Sequence, residues 1–177
     1  MERIDGKFVS LRLARPEDAG FIYDLRRDPL RNAYLSEVTG GVDGQTTWLE
    51  RYLLREAAGE ELYYVIERSE SGESCGLVRL YDIEGNRCTW GSFILAENKP
   101  RKAALEAALL SFQIAFEALG LERVDIDVRN RNQKARDFYV RFGMEYVGHD
   151  ETDTYFSYTS AQFSRDRKTH AATIASA

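Results

Sequence analysis

The sequence predicts a mixed α/β (α+β) fold, in which a mostly antiparallel central sheet of about seven strands is flanked by about four helices. Two observations carry this prediction. Three strand patterns follow one another between residues 62 and 95, which is typical of an antiparallel meander. The helix pattern at Arg101–Leu119 then lies between two strand patterns, so those two strands can be parallel neighbours through a right-handed crossover.

Length and composition exclude several classes of protein. The chain has 177 residues, which predicts one domain at residues 1–163 and a tail at residues 164–177 that shows no periodicity and is expected to be flexible or weakly helical. Hydrophobic residues make up 44% of the chain and charged residues 30%, which excludes disorder over the whole length. A net charge of −5 disfavours nucleic acid as a partner.

Membrane, metal and disulfide chemistry are not indicated either. No apolar stretch approaches the ~20 residues of a membrane span, and no secretory signal pattern is seen, so we expect a cytoplasmic protein with no membrane partner. Cys75 and Cys88 belong to no metal-ligand pattern and are expected to be reduced thiols in strands, not nucleophiles. The two histidines, His149 and His170, offer little for a metal site or a Ser-His-Asp mechanism.

The first third of the chain predicts one strand and two helices. Val9–Leu13 alternates with period two, and the proline and acids of Arg15–Asp18 then begin a helix that ends at Asp28-Pro29. The glycine-containing stretch Leu30–Gln45 predicts a flexible connection. The second helix is predicted to start near Thr46, with a buried stripe formed by Trp48, Leu49, Tyr52 and Leu53.

The rest of the domain predicts strands and helices that end at glycines or turns. The strands are predicted at Leu62–Glu67, Cys75–Tyr81, Thr89–Leu95, Arg123–Arg129, Glu145–Asp150 and Thr154–Ala161. The helices are predicted at Arg101–Leu119, ending at Gly120, and at Asn132–Phe142, ending at Gly143. Ligands of open α/β sheets tend to bind at the carboxyl ends of strands, which directs attention to residues 95–104 and 129–139.

The second of these segments has a specific spacing of side chains. Asn132, Ala135, Tyr139 and Gly143 follow the pattern N-x-x-A-x-x-x-Y-x-x-x-G, with a hydrophobic residue next. This segment resembles the Gcn5-related N-acetyltransferases (GNAT), and Trp90–Leu95 is similar to a strand of their ribosomal-protein alanine and serine N-acetyltransferase branch. The resemblance extends over roughly Val9 to Phe163. It implies the acyl-CoA N-acyltransferase fold, with acetyl-coenzyme A as co-substrate and no metal.

The resemblance also implies roles for residues of the motif helix. Asn132, Ala135 and Phe138 would bind coenzyme A, and the Tyr139 hydroxyl would act as general acid toward the coenzyme A sulfur. A tyrosine with an ordinary pKa of about 10 stays protonated at neutral pH and can supply that proton. The alternative is that Tyr139 is a core aromatic residue on the face of Ala135 and Phe142.

The start of the preceding helix is the expected pyrophosphate site. A helix N-terminus offers free N–H groups and a positive dipole end, and basic residues surround this one. The family pattern has glycine where Lys102 stands, and Pro100 has no N–H to donate, so the segment departs from that pattern. The expected cofactor contacts are the backbone N–H groups near Ile94 and Leu95, which would polarise the thioester carbonyl, and Lys99, Arg101, Lys102, Ala103 and Ala104.

The general base stays open at this point. Asp127 lies on the strand that leads to the motif helix, and Glu37 and Asp43 lie in the connection expected to border the acceptor. An acid in such a position is often a solvated charge, and water can relay the proton instead.

The resemblance implies an amine as acceptor, with a small-molecule amine such as that of a nucleotide sugar as the expected partner. In the family the connection that includes Asn32–Glu37, together with Gln45–Trp48, shapes the acceptor pocket. These segments, with Leu80–Asp82 and Trp90-Gly91, resemble members that acetylate amino sugars on nucleotide carriers, in surface glycan synthesis. The indole rings of Trp48 and Trp90 can equally be core aromatics.

Three functions therefore remain open. The first is acetylation of a nucleotide-linked amino sugar. The second is acetylation of a protein N-terminus or another small amine, which a flatter and more acidic groove would favour. The third is a non-catalytic module that binds coenzyme A, against which the presence of Tyr139 argues. A monomer and a homodimer are both compatible with the sequence.

Overall fold

The computed structural model describes residues 1–28 and 40–176. Its strands form one eight-stranded sheet in the order β1-β2-β3-β4-β5-β6-β8-β7. The strands are β1 (Arg3–Asp5), β2 (Val9–Leu13), β3 (Leu62–Arg68), β4 (Ser74–Glu84), β5 (Arg87–Leu95), β6 (Arg123–Arg129), β7 (Glu145–His149) and β8 (Asp153–Thr159). The helices are α1 (Ala19–Arg27), which follows a 3₁₀ turn at Pro16–Asp18, α2 (Gly41–Ala57), α3 (Ala103–Gln113), which continues as a π-helical turn at Ile114–Ala118, α4 (Gln133–Phe142) and α5 (Ser160–Ala175). The predicted mixed, mostly antiparallel class is confirmed, with one strand and one helix more than expected.

One pair of neighbouring strands separates along its length. All strand pairs are antiparallel except β5 and β6, which are joined by the α3 crossover as predicted. The parallel pairing runs only from Arg87↔Arg123 to Thr89↔Asp125, whereas β6 stays paired with β8 as far as Arg129↔Asp153. The C-terminal halves of β5 and β6 therefore enclose a gap in the sheet, which we call the β5–β6 gap.

The two faces of the sheet carry two hydrophobic clusters. The larger cluster packs α3, α4 and α5 against one face, and the smaller cluster packs α1 and α2 against the other, at strands β3, β4 and β5. Alternate residues of β3 divide between them, since Tyr64 belongs to the first and Val65 to the second. On the second face, β6 and β8 instead present polar side chains such as Asp125, Asp127 and Asp153.

The start of α2 corrects the expected connection. Residues 41–45, predicted as part of a flexible loop, form the first turns of α2, which begins at Gly41 and not near Thr46. Gly40 has the left-handed conformation that glycine adopts at little cost (φ 84°), and its carbonyl accepts the Gly44 N–H at 2.9 Å. Gln45 is buried, so tertiary packing outweighs the low helix propensity of the glycines. Residues 29–39 of that connection, including Asn32–Glu37, lie outside the described residues.

The C-terminal segment is helical, so of the two expected states the flexible tail is wrong and the helical one is nearer to the structure. Residues 160–175 form α5, which begins with a capping box between Thr159 and Gln162. Phe163, His170 and Ile174 are buried, but they are too few and too widely spaced to give a clear helical period in the sequence. The Nε2 of His170 donates to the Phe142 carbonyl at 2.9 Å, which ties α5 to the end of α4.

A buried carboxylate anchors the start of α3 to the edge of the sheet. Glu106, in the first turn of α3, accepts the backbone N–H groups of Lys7, Phe8 and Val9 at 2.6, 2.7 and 2.9 Å. A Cβ at Gly6 would lie 2.7 Å from the same carboxylate, so this turn has no room for a side chain. The carboxylate thereby fixes where the N-terminus of α3 lies.

Candidate active site

Tyr139 reaches the β5–β6 gap from the first face of the sheet. Its ring lies edge-on to Trp90 of β5 (5.8 Å between centroids) and to Phe156 of β8 (5.6 Å). The residue is 7% exposed, and its hydroxyl makes no hydrogen bond within residues 1–28 and 40–176. Burial raises the pKa of Tyr139 well above its usual range, and the charge of Asp127 raises it further, so the phenol is protonated at neutral pH.

The motif around Tyr139 folds as a capped helix. Asn132 Oδ1 accepts the Ala135 N–H at 3.2 Å, and Gly143 ends the helix with φ 103°. Ala135 and Phe138 are partly buried against the larger core cluster. The Phe138 ring lies 6.2 Å from that of Phe93 on β5, which brings the helix close to the separating strand. The spacing recognised in the sequence therefore corresponds to a helix that presents Tyr139 at the gap.

The start of α3 has the features of an anion site. Lys102 caps the helix with φ 63°, so this residue adopts the left-handed conformation that glycine favours. Among the described residues, the N–H groups of Ala104 and Leu105 have no acceptor, as is general for a first helical turn. No carboxylate within residues 1–28 and 40–176 forms an ion pair with Arg101 or Lys102.

Two further expected contacts flank this helix start. Lys99 is exposed and its ammonium lies 3.4 Å from the Ala96 carbonyl. Ala103 is buried beneath the helix start, which is consistent with a small residue there. The geometry fits a pyrophosphate, since backbone donors, a helix dipole and unpaired cations converge at one place.

The end of β5 presents one of the two expected backbone donors to the gap, that of Leu95 and not that of Ile94. The Ala96 N–H donates to the Cys75 carbonyl at 2.8 Å, which is the side of β4. Because N–H groups alternate along a strand, the N–H of Leu95 points into the gap and that of Ile94 toward β4. Upstream, Ser92 has φ 48°, and the β4–β5 register shifts at this point, so a bulge bends the strand away from β6.

Tyr81 and Asp127 border the gap from the second face of the sheet. A Cβ at Gly91 would lie 3.2 Å from Tyr81 Oη, so the glycine leaves room for the tyrosine ring. The Arg79 guanidinium lies 4.5 Å from the centre of that ring and is itself paired with Glu61. Burial, followed by the charge of Asp127, raises the pKa of Tyr81 to about 12.

Asp127 differs from the two acids nearest to it on β6 and β8. Asp125 is paired with Arg123 at 2.6 Å and Asp153 with Arg129 at 2.8 Å. The carboxylate of Asp127 makes no ion pair and no hydrogen bond to another residue within the described chain.

Asp127 also lines an open groove. The groove has a volume of about 490 Å³, and Thr89, Val147, Tyr155 and Phe156 contribute to its walls. Partial desolvation raises the pKa of Asp127, and the neighbouring negative charges, with Asp153 foremost, raise it further.

The other candidate residues lie elsewhere. Asp43 is exposed in the first turn of α2, and Glu37 is outside the described residues. Cys75 and Cys88 are free and buried, and burial raises the pKa of their thiols to about 11 and about 12, so they are protonated. His149 is exposed beside Tyr146 on β7.

Both tryptophans have packing roles. Trp48 stacks on Tyr52 at 6.0 Å and lies under the guanidinium groups of Arg55 and Arg79. Trp90 is fully buried, and its Nε1 donates to Ser111 Oγ at 2.8 Å. These contacts favour the core interpretation for each ring.

Neither a metal-ligand cluster nor a membrane-spanning helix is present among the described residues. In residues 1–28 and 40–176, no group of histidine, cysteine, aspartate or glutamate side chains could hold a metal ion. Over the same part of the chain, no helix has the length and apolar character needed to cross a membrane. Tyr81, a wall of the gap, lies in the Leu80–Asp82 segment that the sequence already associates with the acceptor. The sequence does not single out Glu106 as an anchor, and its only signal is an acid in an otherwise apolar helix pattern.

Comparisons with known proteins agree with this geometry. The family described as acetyltransferase (GNAT) domain matches residues 9–145. The solved structure titled "Apo FdhC- a nucleotide-linked sugar GNAT" is 34% identical, with 96% of each chain covered and a TM-score of 0.89. No curated protein matches the chain at a significant level.

More distant solved structures share the fold. RimJ from Mycobacterium smegmatis in complex with CoA-disulfide is 17% identical, over 94% of this chain and 89% of that chain, with a TM-score of 0.79. Spermidine N-acetyltransferase from Vibrio cholerae in complex with CoA and spermine is 20% identical, over 89% of this chain and 99% of that chain, with a TM-score of 0.78.

Proposed function

The chain belongs to the GNAT acetyltransferase family, and we propose that it acetylates the primary amine of an amino sugar carried by a nucleotide. Acetyl-coenzyme A is the co-substrate, as is typical of the family. The observation that supports this acceptor is the 34% identity to a protein titled as a nucleotide-linked sugar GNAT, which extends over 96% of both chains. The sequence similarity to that protein therefore extends to the residues around the gap, as well as to the proposed coenzyme A contacts at the start of α3.

The residues at the end of β5 and the start of α3 fit this co-substrate. Lys99, Arg101 and Lys102 would hold its pyrophosphate, with the free N–H groups of the first turn of α3. The Leu95 N–H, which points into the gap, would polarise the thioester carbonyl. When bound, acetyl-coenzyme A supplies an activated acetyl group and a thiol as leaving group.

Tyr139 is proposed as the general acid. Its hydroxyl lies at the gap without a hydrogen-bond partner among the described residues, and burial keeps it protonated. A phenol in this state holds the proton that the sulfur takes up as the C–S bond breaks. Asn132 and Gly143 cap the helix that carries Tyr139 and so hold the hydroxyl in place.

The acceptor is tested by free-thiol release with acetyl-coenzyme A and a panel of amines. We expect saturable release with a nucleoside diphosphate amino sugar, and no release with the same nucleotide sugar when a hydroxyl replaces the amine. Mass spectrometry of the product should show one added acetyl group on the sugar nitrogen. Saturable release with spermidine or with an N-terminal peptide, together with none from any amino sugar, would contradict the proposed acceptor.

A small cationic amine is the second candidate acceptor. The observation in its favour is the acidic character of the second face beside the gap, where the charges of Asp153 and Asp82 add to burial in raising the pKa of Asp127. A polyamine would gain from these charges, whereas the phosphates of a nucleotide would have to lie away from them. The same panel separates the two candidates.

A further inference from the structure

We propose that Arg55 and Arg79 bind the diphosphate of the nucleotide that carries the acceptor sugar. This inference rests on the proposed function, because it assigns residues to that acceptor. Three observations carry it. One buried carboxylate holds both guanidinium groups, their Nη atoms have no partner within residues 1–28 and 40–176, and the pair lies beside the β5–β6 gap on the second face of the sheet.

Glu61 joins the two arginines. Its side chain is buried, with 2% of the residue exposed. Glu61 Oε2 accepts from Arg55 Nε at 2.7 Å, and Oε1 accepts from Arg79 Nε. Because one carboxylate uses both of its oxygens in this way, the two guanidinium groups lie next to each other. Two positive charges meet one negative charge, so one positive charge of the cluster is left uncompensated.

Trp48 supports both guanidinium groups. The Cζ atoms of Arg55 and Arg79 lie 5.0 and 5.2 Å from the centre of its ring. The indole is itself held by a parallel stack on Tyr52 and by an edge contact with Tyr63 at 5.7 Å. A guanidinium that is stacked and paired through Nε is already oriented, so it loses little rotamer freedom when it binds a ligand.

The Nη edge of each guanidinium is available to a ligand. In the described part of the chain, the Nη atoms of Arg55 and Arg79 make no hydrogen bond and no ion pair. The two side chains are 33% and 23% exposed, and none of these Nη atoms is buried. Their N–H groups form the fork that matches phosphate oxygens. A diphosphate, with oxygens on two phosphorus atoms, can accept from both forks at once.

The strand register places Arg79 on the same face as the open groove. Arg79 pairs with Gly91 of β5, and Tyr81, two residues along β4 on the same face, pairs with Thr89. Thr89 lines the groove and pairs with Asp125 of β6. Since neighbouring strands are ~4.8 Å apart, β4 and β6 are separated by ~10 Å at this level. A sugar ring with its glycosidic phosphate can extend over this distance, from the gap to the arginines.

The free charges on the two sides of the gap have opposite sign. The uncompensated positive charge lies on β4 and α2, at Arg79 and Arg55. On β6, Asp127 has no ion pair within the described residues. An acceptor with an ammonium at one end and a diphosphate at the other is therefore oriented with its amine toward the gap and its phosphates away from the acids.

The first test compares two acceptors in one variant, namely the nucleotide amino sugar that the amine panel identifies and the same amino sugar without its nucleotide. We expect Arg79→Gln to lower kcat/KM for the nucleotide sugar about 30-fold, mainly by raising KM, and to change kcat/KM for the free sugar less than about twofold. Arg51→Gln removes the same charge from an exposed position on α2 and should leave both values unchanged. An equal loss for the two acceptors in Arg79→Gln would overturn the proposal, because Arg79 would then support only the fold.

Arg79→Lys is the second variant. It keeps a positive charge beside Glu61, which protects the fold, but it lacks the planar fork. We expect its KM for the nucleotide sugar to lie between those of the wild type and Arg79→Gln. The Kd of acetyl-coenzyme A should stay within about twofold of wild type in both variants, since the pyrophosphate of coenzyme A is bound elsewhere. A wild-type KM for the nucleotide sugar in both variants would contradict the proposal.

A binding experiment separates this proposal from the choice of acceptor. Uridine diphosphate and thymidine diphosphate are titrated calorimetrically into the wild type, Arg79→Gln and Arg51→Gln, with coenzyme A present at saturation. We expect a Kd for at least one nucleotide that rises about 30-fold in Arg79→Gln and stays unchanged in Arg51→Gln.

The two proposals fail in different ways. If no nucleotide amino sugar is acetylated but binding of the nucleoside diphosphate depends on Arg79, the proposed acceptor fails and the diphosphate site stands. If a nucleotide amino sugar is acetylated with the same KM by the wild type and Arg79→Gln, the diphosphate site fails and the acceptor stands. Absence of binding of both nucleotides to the wild type would also overturn the site.

Discussion

The turn before β2 and the β5–β6 gap each hold a carboxylate, but only the one at the turn has hydrogen-bond partners among the described residues. Glu106 is buried and accepts three backbone N–H groups from residues 7–9, so its charge is fully satisfied by the fold. Asp127 lies at the gap and has no ion pair and no hydrogen bond to another residue within the described chain. The hydroxyls of Tyr81 and Tyr139 also make no hydrogen bond there. The comparison separates a carboxylate whose hydrogen bonds the fold satisfies from polar groups at the gap that the described residues leave without hydrogen bonds.

Removing the scaffold carboxylate should give the largest effect. Glu106→Ala leaves three N–H groups without their acceptor in a buried turn, and we expect the free energy of unfolding to fall by about 4 kcal/mol. Urea denaturation followed by circular dichroism measures this loss. Glu106→Gln keeps one acceptor oxygen and should lose less. A loss below about 1 kcal/mol for Glu106→Ala would break the comparison, because the turn would then not depend on its carboxylate.

Removing the hydroxyl at the gap should affect catalysis and leave the fold intact. Tyr139→Phe should lower kcat about 100-fold, equivalent to about 2.7 kcal/mol, while acetyl-coenzyme A binding stays nearly unchanged. The hydroxyl has no partner among the described residues, so the unfolding free energy should hardly change. Tyr146→Phe, an exposed tyrosine on β7, is the control and should keep wild-type kcat. Unchanged kcat in Tyr139→Phe would remove this residue from the mechanism.

Lys102 shares a feature with each of these two regions. Its backbone is strained by the fold, and its ammonium group has no ion pair among the described residues. Lys102→Gly should raise the unfolding free energy by about 1 kcal/mol over Lys102→Ala, since only glycine adopts φ 63° without cost. Both variants lose the same charge, so their difference isolates the backbone effect in a denaturation experiment. Equal stabilities would mean that the turn stores no strain at this residue.

Much of the fold could be predicted because its signals are local. Alternation in Arg123–Arg129 and the cap residues Asn132 and Gly143 correspond directly to β6 and α4, with bounds within one residue of the prediction. The first turns of α2 and most of α5 could not be predicted in the same way. Glycines at 41 and 44 and sparse apolar residues after 164 give weak local signals, and burial against other elements decides the outcome.

The residues of the candidate site also fall into those that local sequence signals predict and those that only tertiary contacts distinguish. The spacing from Asn132 to Gly143 placed Tyr139 on a helix, and the basic residues before α3 indicated an anion site. The sequence left Asp127 as one acid among several. Its distinction depends on which arginines pair with Asp125 and Asp153. Arg123 and Asp125 pair within β6, whereas Arg129 and Asp153 are brought together by the register of β6 and β8.

The sequence by itself determined the class of the sheet, the order of the elements from β2 to β8, the family motif on α4 and the charge at the start of α3. These follow from the spacing of side chains along one helix or strand, which is set by a period of 3.6 or two residues. Tertiary structure alone decided where β5 and β6 separate, that Glu106 is satisfied and that Asp127 is not. Such contacts join residues up to about one hundred positions apart, and no local period encodes which partner each carboxylate meets.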